Sequence, residues 1–101
     1  MSAKTQPVEV LLKELREDIL DRAHRHGARN IRLFGSVVRG EANEQSDIDF
    51  LVDAGADTSP WFPVGLIDEL QTLLGRRVDV VTEDSLHWLL RRRILKEARP
   101  L

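Results

Sequence analysis

The chain has 101 residues, 42% of them apolar, with 15 basic and 17 acidic side chains and a formal charge of −2. A general nucleic-acid binder usually carries a basic surplus, so DNA is not an expected partner. Cysteine is absent, which excludes disulfides and thiolate metal sites. No apolar run approaches the roughly 18 residues of a membrane span, and MSAKTQPVEV lacks the continuous apolar segment of a secretory signal. The expectation is a single domain over residues 1–101, soluble and cytoplasmic, burying roughly 60–70% of its unfolded surface. That suffices for one core. It leaves little area to hold a large substrate, which would need a partner protein.

Residues 1–6 are polar and expected to fray. Pro7 to His26 reads as one amphipathic helix, with Val8, Leu11, Leu12, Leu15, Ile19 and Ala23 forming a stripe at 3- and 4-residue steps. Glu9 near its start and Arg22, His24 and Arg25 near its end suit the helix dipole. Gly27 is the expected stop. Leu20 falls off the stripe and is a candidate partner contact. Asn30 to Phe34 reads as a short strand. Gly35-Ser36 then makes a turn, with Ser36 as cap of a short helix to about Gly40. Glu41 to Ser46 is a polar loop. Asp47 to Val52 is a second strand, with Asp47 and Asp49 on one side and Ile48, Phe50 and Val52 on the other.

Asp53 to Pro63, rich in Gly, Pro, Asp, Ser and Thr, reads as a loop and a possible lid. Val64 to Leu74 is a second amphipathic helix, with Leu66, Ile67, Leu70, Leu73 and Leu74 inward and Gly75 as its stop. Arg77 to Val81 is a third strand, with Val78 and Val80 facing one way and Asp79 the other. Asp84 to Ala98 reads as a last helix, with Asp84 as cap, Leu86, Leu89, Leu90, Ile94 and Leu95 as its apolar residues, and Trp88 in the core. Residues 99–101 read as a frayed tail. The order is α-β-α-β-α-β-α, an α/β (α+β) fold around a small sheet of about three strands. The connection from Ser36 to Asp47 is too short for a comfortable parallel crossover. The first two strands could therefore be antiparallel and the sheet mixed.

The chemistry is concentrated between Leu33 and Asp53, LFGSVVRGEANEQSDIDFLVD. Asp at positions i and i+2 of a strand places two hard oxygen ligands side by side, which suits Mg²⁺ and substrate phosphates. Asp79 from a neighbouring strand would complete a two-metal clamp for in-line displacement at phosphorus. A glycine before a helix N-terminus admits close backbone approach, and free N–H groups there favour a phosphate. The Ser36 hydroxyl adds a donor. Arg39, one turn on, could reach the same phosphates or pair with an Asp. Each piece alone has an ordinary reading as a turn, a solvated strand edge or a lone buried charge. Their joint order and spacing are poorly explained by chance.

Gly35-Ser36, ten residues, Asp47-x-Asp49 and a later strand Asp together resemble the nucleotidyltransferase superfamily typified by DNA polymerase β. More narrowly, LFGSVVRGEANEQSDIDFLV and LLGRRVDVV are similar to the minimal nucleotidyltransferases (MNT) of prokaryotes, the MntA-type antitoxins of HEPN/MNT pairs. The likeness spans roughly residues 8–95. It implies that Asp47, Asp49 and Asp79 hold two Mg²⁺ ions and form the catalytic set, with Asp79 helping to activate the acceptor hydroxyl. It implies that Gly35 and Ser36 hold the β- and γ-phosphates of ATP, with Arg39 a weaker member of the nucleotide site and Ser46 weaker still. Members of this kind are understood to transfer AMP to a tyrosine of a HEPN-domain RNase toxin. Two other readings stay open: an antitoxin that acts by binding alone, and a transferase acting on a small-molecule hydroxyl.

Other features carry less. His24, His26 and His87 have no metal-ligand spacing. Arg91-Arg92-Arg93 reads first as a solvated helix face and second as a toxin contact. Trp61 and Phe62 could cover the core, stack on a base or meet a partner.

Overall fold

In the computed structural model, which describes residues 7–101, the first apolar stripe folds as two segments rather than one. Helix α1 spans Val8–Glu14 and α2 spans Arg16–Arg25. They meet at Leu15, whose backbone leaves helical geometry at φ −100° and ψ 11°. The hydrogen-bond ladder continues through the bend: the Leu15 N–H donates to the Leu11 carbonyl at 3.0 Å and the Ile19 N–H to the Leu15 carbonyl at 2.9 Å. Val8, Leu12, Ile19 and Ala23 are buried, so the stripe faces the core as its spacing requires. Leu20 packs partly against that core. Gly27 follows the end of α2 with φ +85°, a conformation that suits a helix stop.

Strand β1 runs over Ala28–Phe34, β2 over Ile48–Ala54 and β3 over Val78–Thr82. Helix α3, Ser36–Arg39, lies between β1 and β2, and α4, Val64–Leu74, lies between β2 and β3. β1 and β2 are antiparallel, and β2 and β3 are parallel, so the sheet is mixed. Between Arg29 and Arg32 the β1–β2 register shifts at a bulge, where Asn30 has φ +51°. Ile48, Phe50 and Val52 of β2 and Val78 and Val80 of β3 join Ile19, Ala23, Leu66, Leu70 and Leu74 of α2 and α4 in one core. Strand alternation sends Asp49 and Asp79 to the opposite face.

The C-terminal third departs from the sequence expectation. Arg99–Pro100 form a strand rather than a frayed tail: this β4 pairs antiparallel with β1 and makes the sheet four-stranded in the order β3-β2-β1-β4. The Leu101 N–H donates to the Ile31 carbonyl at 3.1 Å, and Arg16 Nε donates to the Leu101 carbonyl at 2.9 Å. Pro100 is tolerated because an edge strand need not donate on its outer side.

The last helix is also shorter than its periodicity suggests. Glu83–Ser85 forms a single 3₁₀ turn closed by Thr82 and Ser85. Helix α5 then spans Trp88–Glu97, and its cap is His87, not Asp84: His87 Nδ1 accepts the Leu89 N–H at 3.1 Å. No residue of α5 is buried. Trp88 is 75% exposed and Leu89 64%, so neither belongs to the core. Helices α2 and α4 already fill the apolar face of the sheet, leaving no second apolar surface of that size for α5. Trp61 is likewise exposed, whereas Phe62 packs partly against the core.

Candidate active site

The parallel pairing of β2 with β3 sets Asp49 opposite Asp79 in register. Asp47, expected to open β2, lies just before it, and its charge still reaches the Asp49 carboxyl. Asp49 is half-buried, while Asp47 and Asp79 are exposed. Three carboxylates on one small surface repel one another. Burial first, then the charges of Asp79 and Asp47, push the Asp49 carboxyl up from an ordinary 3.8 to about 6, with Glu97 adding to the rise and Arg39 opposing it. Asp47 has a cationic neighbour: Arg77 Nε lies 3.0 Å from Asp47 Oδ1.

Gly35 completes the same surface. It follows Phe34, which pairs with Asp49 across β1 and β2. Its backbone adopts φ +81° and ψ −152°, a region essentially reserved for glycine. A Cβ at Gly35 would land on Asp49 Oδ2 and lie 3.2 Å from Asp49 Cγ. Gly35, not Ser36, is the cap residue of α3: its carbonyl accepts the Val38 and Arg39 N–H groups at 3.1 and 3.2 Å. Ser36 is the first helical residue, and no side-chain cap bond forms. The hydroxyl is thereby not committed to the helix end.

Arg39 is held between two carboxylates. Its Nε donates to Glu41 at 3.0 Å and one terminal nitrogen donates to Glu97 at 2.9 Å, and both bonds hold the guanidinium more firmly protonated. The other Glu97 oxygen accepts the Gly35 N–H at 2.7 Å. Desolvation works to raise the Glu97 pKa, but the Gly35 N–H and the Arg39 guanidinium outweigh it, and the group titrates below the usual carboxylate range. Glu97 also ends an open groove lined by Leu89, Arg92, Arg93 and Lys96. Sequence spacing did not reveal Glu97, since its link to the site comes from the β1–β4 pairing 62 residues away from Gly35.

Gly35, Arg39, Asp47 and Asp79 thus all bear on the Asp49 carboxyl, and Ser36 follows Gly35 as the first residue of α3. Among the described residues no three acidic or imidazole groups already converge as a ready metal cage. The donor set nevertheless suits a hard divalent cation: oxygen ligands only, on one face, with Asp49 destabilised as an anion by its neighbours. Drawing Asp47 in requires it to leave Arg77. Ser46 serves the preceding turn, where its Oγ accepts the Asn43 N–H at 2.9 Å. Arg76 secures the same turn through the Asn43 and Ser46 carbonyls. His26 bonds Glu69 at 2.6 Å and His87 caps α5, so these two histidines have structural partners away from the carboxylate face.

A small mixed sheet thus presents carboxylates from adjacent parallel strands, beside a glycine turn whose N–H already holds a carboxylate. Residues 12–101 match the nucleotidyltransferase domain family, and the chain belongs to it as a nucleotidyltransferase. A protein adenylyltransferase of Methanocaldococcus jannaschii is 42% identical over 87 residues, covering 86% of this chain and 94% of the relative. The protein adenylyltransferase MntA of Thermococcus cleftensis is 45% identical over 85 residues, covering 84% and 79%. Among solved structures, a minimal nucleotidyltransferase superposes with TM-score 0.79 at 46% identity, covering 89% of this chain and 92% of the other. A toxin–antitoxin structure of MntA superposes with TM-score 0.68 at 25% identity, covering 85% and 70%. Among the described residues no helix is long and apolar enough to cross a membrane.

Proposed function

We propose that this chain transfers AMP from ATP to a protein hydroxyl, that the acceptor is a tyrosine of a HEPN-type RNase toxin, and that the transfer makes the chain an antitoxin. The observation that carries the reading is the Asp49–Asp79 register beside a Gly35 that has no room for a side chain. Two relatives named protein adenylyltransferase and an MntA toxin–antitoxin structure support the choice of donor and partner.

In this reading Asp47, Asp49 and Asp79 hold two Mg²⁺ ions, which supply electrostatic stabilisation of the triphosphate and of charge developing at the α-phosphorus. The Gly35 N–H, the Ser36 hydroxyl and Arg39 hold the β- and γ-phosphates. Asp79, exposed like Asp47, faces the arriving acceptor and takes the proton of its hydroxyl. The acceptor oxygen bonds to the α-phosphorus as the bond to the bridging oxygen breaks, and pyrophosphate leaves. Asp47→Ala combined with Asp49→Ala is expected to abolish label transfer from α-labelled ATP to the co-purified partner, with unchanged far-UV circular dichroism. Transfer surviving in that variant would overturn the site.

The exposed apolar residues of α5 favour a second reading, in which the chain neutralises its partner by covering it. The same double variant separates the two. If it neutralises the toxin in cells as well as the native chain, binding is sufficient.

A further inference from the structure

The antiparallel pairing of β1 with β4 matches Leu33 with Arg99 and Arg32 with Pro100. Carried two residues further, the same register sets Gly35 opposite Glu97. The contact follows: one Glu97 oxygen accepts the Gly35 N–H at 2.7 Å and the other accepts Arg39 at 2.9 Å. The Glu97 side chain is only 14% exposed. A carboxylate thus spans the two groups that the proposed function gives to the nucleotide phosphates, with the spacing and charge of a phosphate edge.

We propose that Glu97 is a built-in phosphate mimic: its carboxylate closes the Gly35–Arg39 end of the site in the nucleotide-free protein and is displaced when the triphosphate enters. The inference rests on the proposed function and adds to it a competitor carried by the chain itself. Two physical arguments favour displacement over simultaneous binding. The Gly35 N–H is a single donor and already has an acceptor. A triphosphate beside Arg39 would also meet Glu41 and Glu97 in addition to the Asp face, so a retained Glu97 adds repulsion at the point where attraction is needed. The strand β4 keeps the competitor local. The Leu101 N–H bonds the Ile31 carbonyl and Arg16 bonds the Leu101 carbonyl, so the Glu97 side chain can swing out while its backbone stays anchored.

A ligand that must displace an internal competitor binds with its intrinsic affinity reduced by the fraction of open sites. Removing the competitor recovers that fraction. The test is isothermal titration of magnesium AMP-PNP, a non-hydrolysable ATP analogue, into the native chain and into Glu97→Gln and Glu97→Ala, with thermal melting as the check on folding. For Glu97→Ala, which removes both the Gly35 and the Arg39 contact, the expected result is binding at least about tenfold tighter, with Glu97→Gln in between. In label transfer the nucleotide KM falls while kcat is held. Unchanged or weaker binding in both folded variants would overturn the proposal and leave the nucleotide site standing. If neither the native chain nor the folded variants bind the analogue, the phosphate assignment of Gly35 and Arg39 fails, and the mimic with it.

Discussion

Asp49→Asn should make the fold more stable while removing its chemistry. The Asp49 carboxyl titrates at about 6 instead of 3.8, so the folded protein binds its proton more tightly than the unfolded chain does. Below about pH 3.8 both states are protonated and the group costs nothing. Between 3.8 and 6 the unfolded chain ionises first, and stability falls as pH rises. Above 6 the cost is complete. At about 1.36 kcal/mol per decade of proton affinity the full conversion would be roughly 3 kcal/mol. Asp49 is only half-buried, so solvent screens the interaction and about 1–1.5 kcal/mol is expected to remain. Asparagine has the same shape and no charge. Urea denaturation of the native chain and Asp49→Asn at pH 8 and pH 3, without divalent cations, should show the variant ahead by that amount at pH 8 and level at pH 3. A variant that is less stable at pH 8, or a gap independent of pH, would refute the account of Asp49 as an electrostatically strained anion. Adding Mg²⁺ should stabilise the native chain by mass action and leave Asp49→Asn nearly unmoved.

Gly35→Ala should cost about 1–3 kcal/mol through its backbone conformation alone, and should also push the Asp49 carboxylate aside. Thermal melting and label transfer measured together should show activity lost at temperatures where the variant is still folded. Arg32 bridges Asp53 at 2.8 Å and Glu83 at 3.3 Å with its side chain 13% exposed, so Arg32→Ala should lower the urea midpoint by the equivalent of about 1 kcal/mol, given its more exposed partners. Arg91 first, then Arg32, holds the Glu83 pKa down. That stabilisation is present above the unfolded carboxylate pKa and is lost as pH falls, so the gap between Arg32→Ala and the native chain should narrow on acidification.

The carboxylate face was legible because strand alternation is local. Asp49 and an isolated Asp79 between valines needed only a two-residue period to be placed on the face opposite Phe50 and Val80. Gly35 was legible as a turn, although the reason for glycine, the Asp49 carboxylate against its missing Cβ, required the register of β1 on β2. Glu97 and Arg77 were not legible as site neighbours. Glu97 is delivered by a two-residue edge strand too short to carry a pattern, and Arg77 pairs with Asp47 only because β2 and β3 run in parallel. The stripe in the last helix was a true amphipathic signal with a wrong destination. Periodicity reports that Trp88, Leu89 and Leu95 could line a surface, and says nothing about whether the same chain supplies the surface they meet.

The parallel β2–β3 pairing has a consequence for assembly. β1, α3 and β2 are consecutive and antiparallel, so Gly35, Asp47 and Asp49 can be brought together by a short excursion of chain. Asp79 reaches them only after α4 has crossed the sheet and docked, a non-local step that carries the larger loop-closure cost. A chain folded only as far as Asp53 therefore has anion and cation ligands but lacks the third carboxylate. Under the proposed roles, adenylyl transfer becomes a report that β3 has docked, and a half-folded chain could hold nucleotide without spending it.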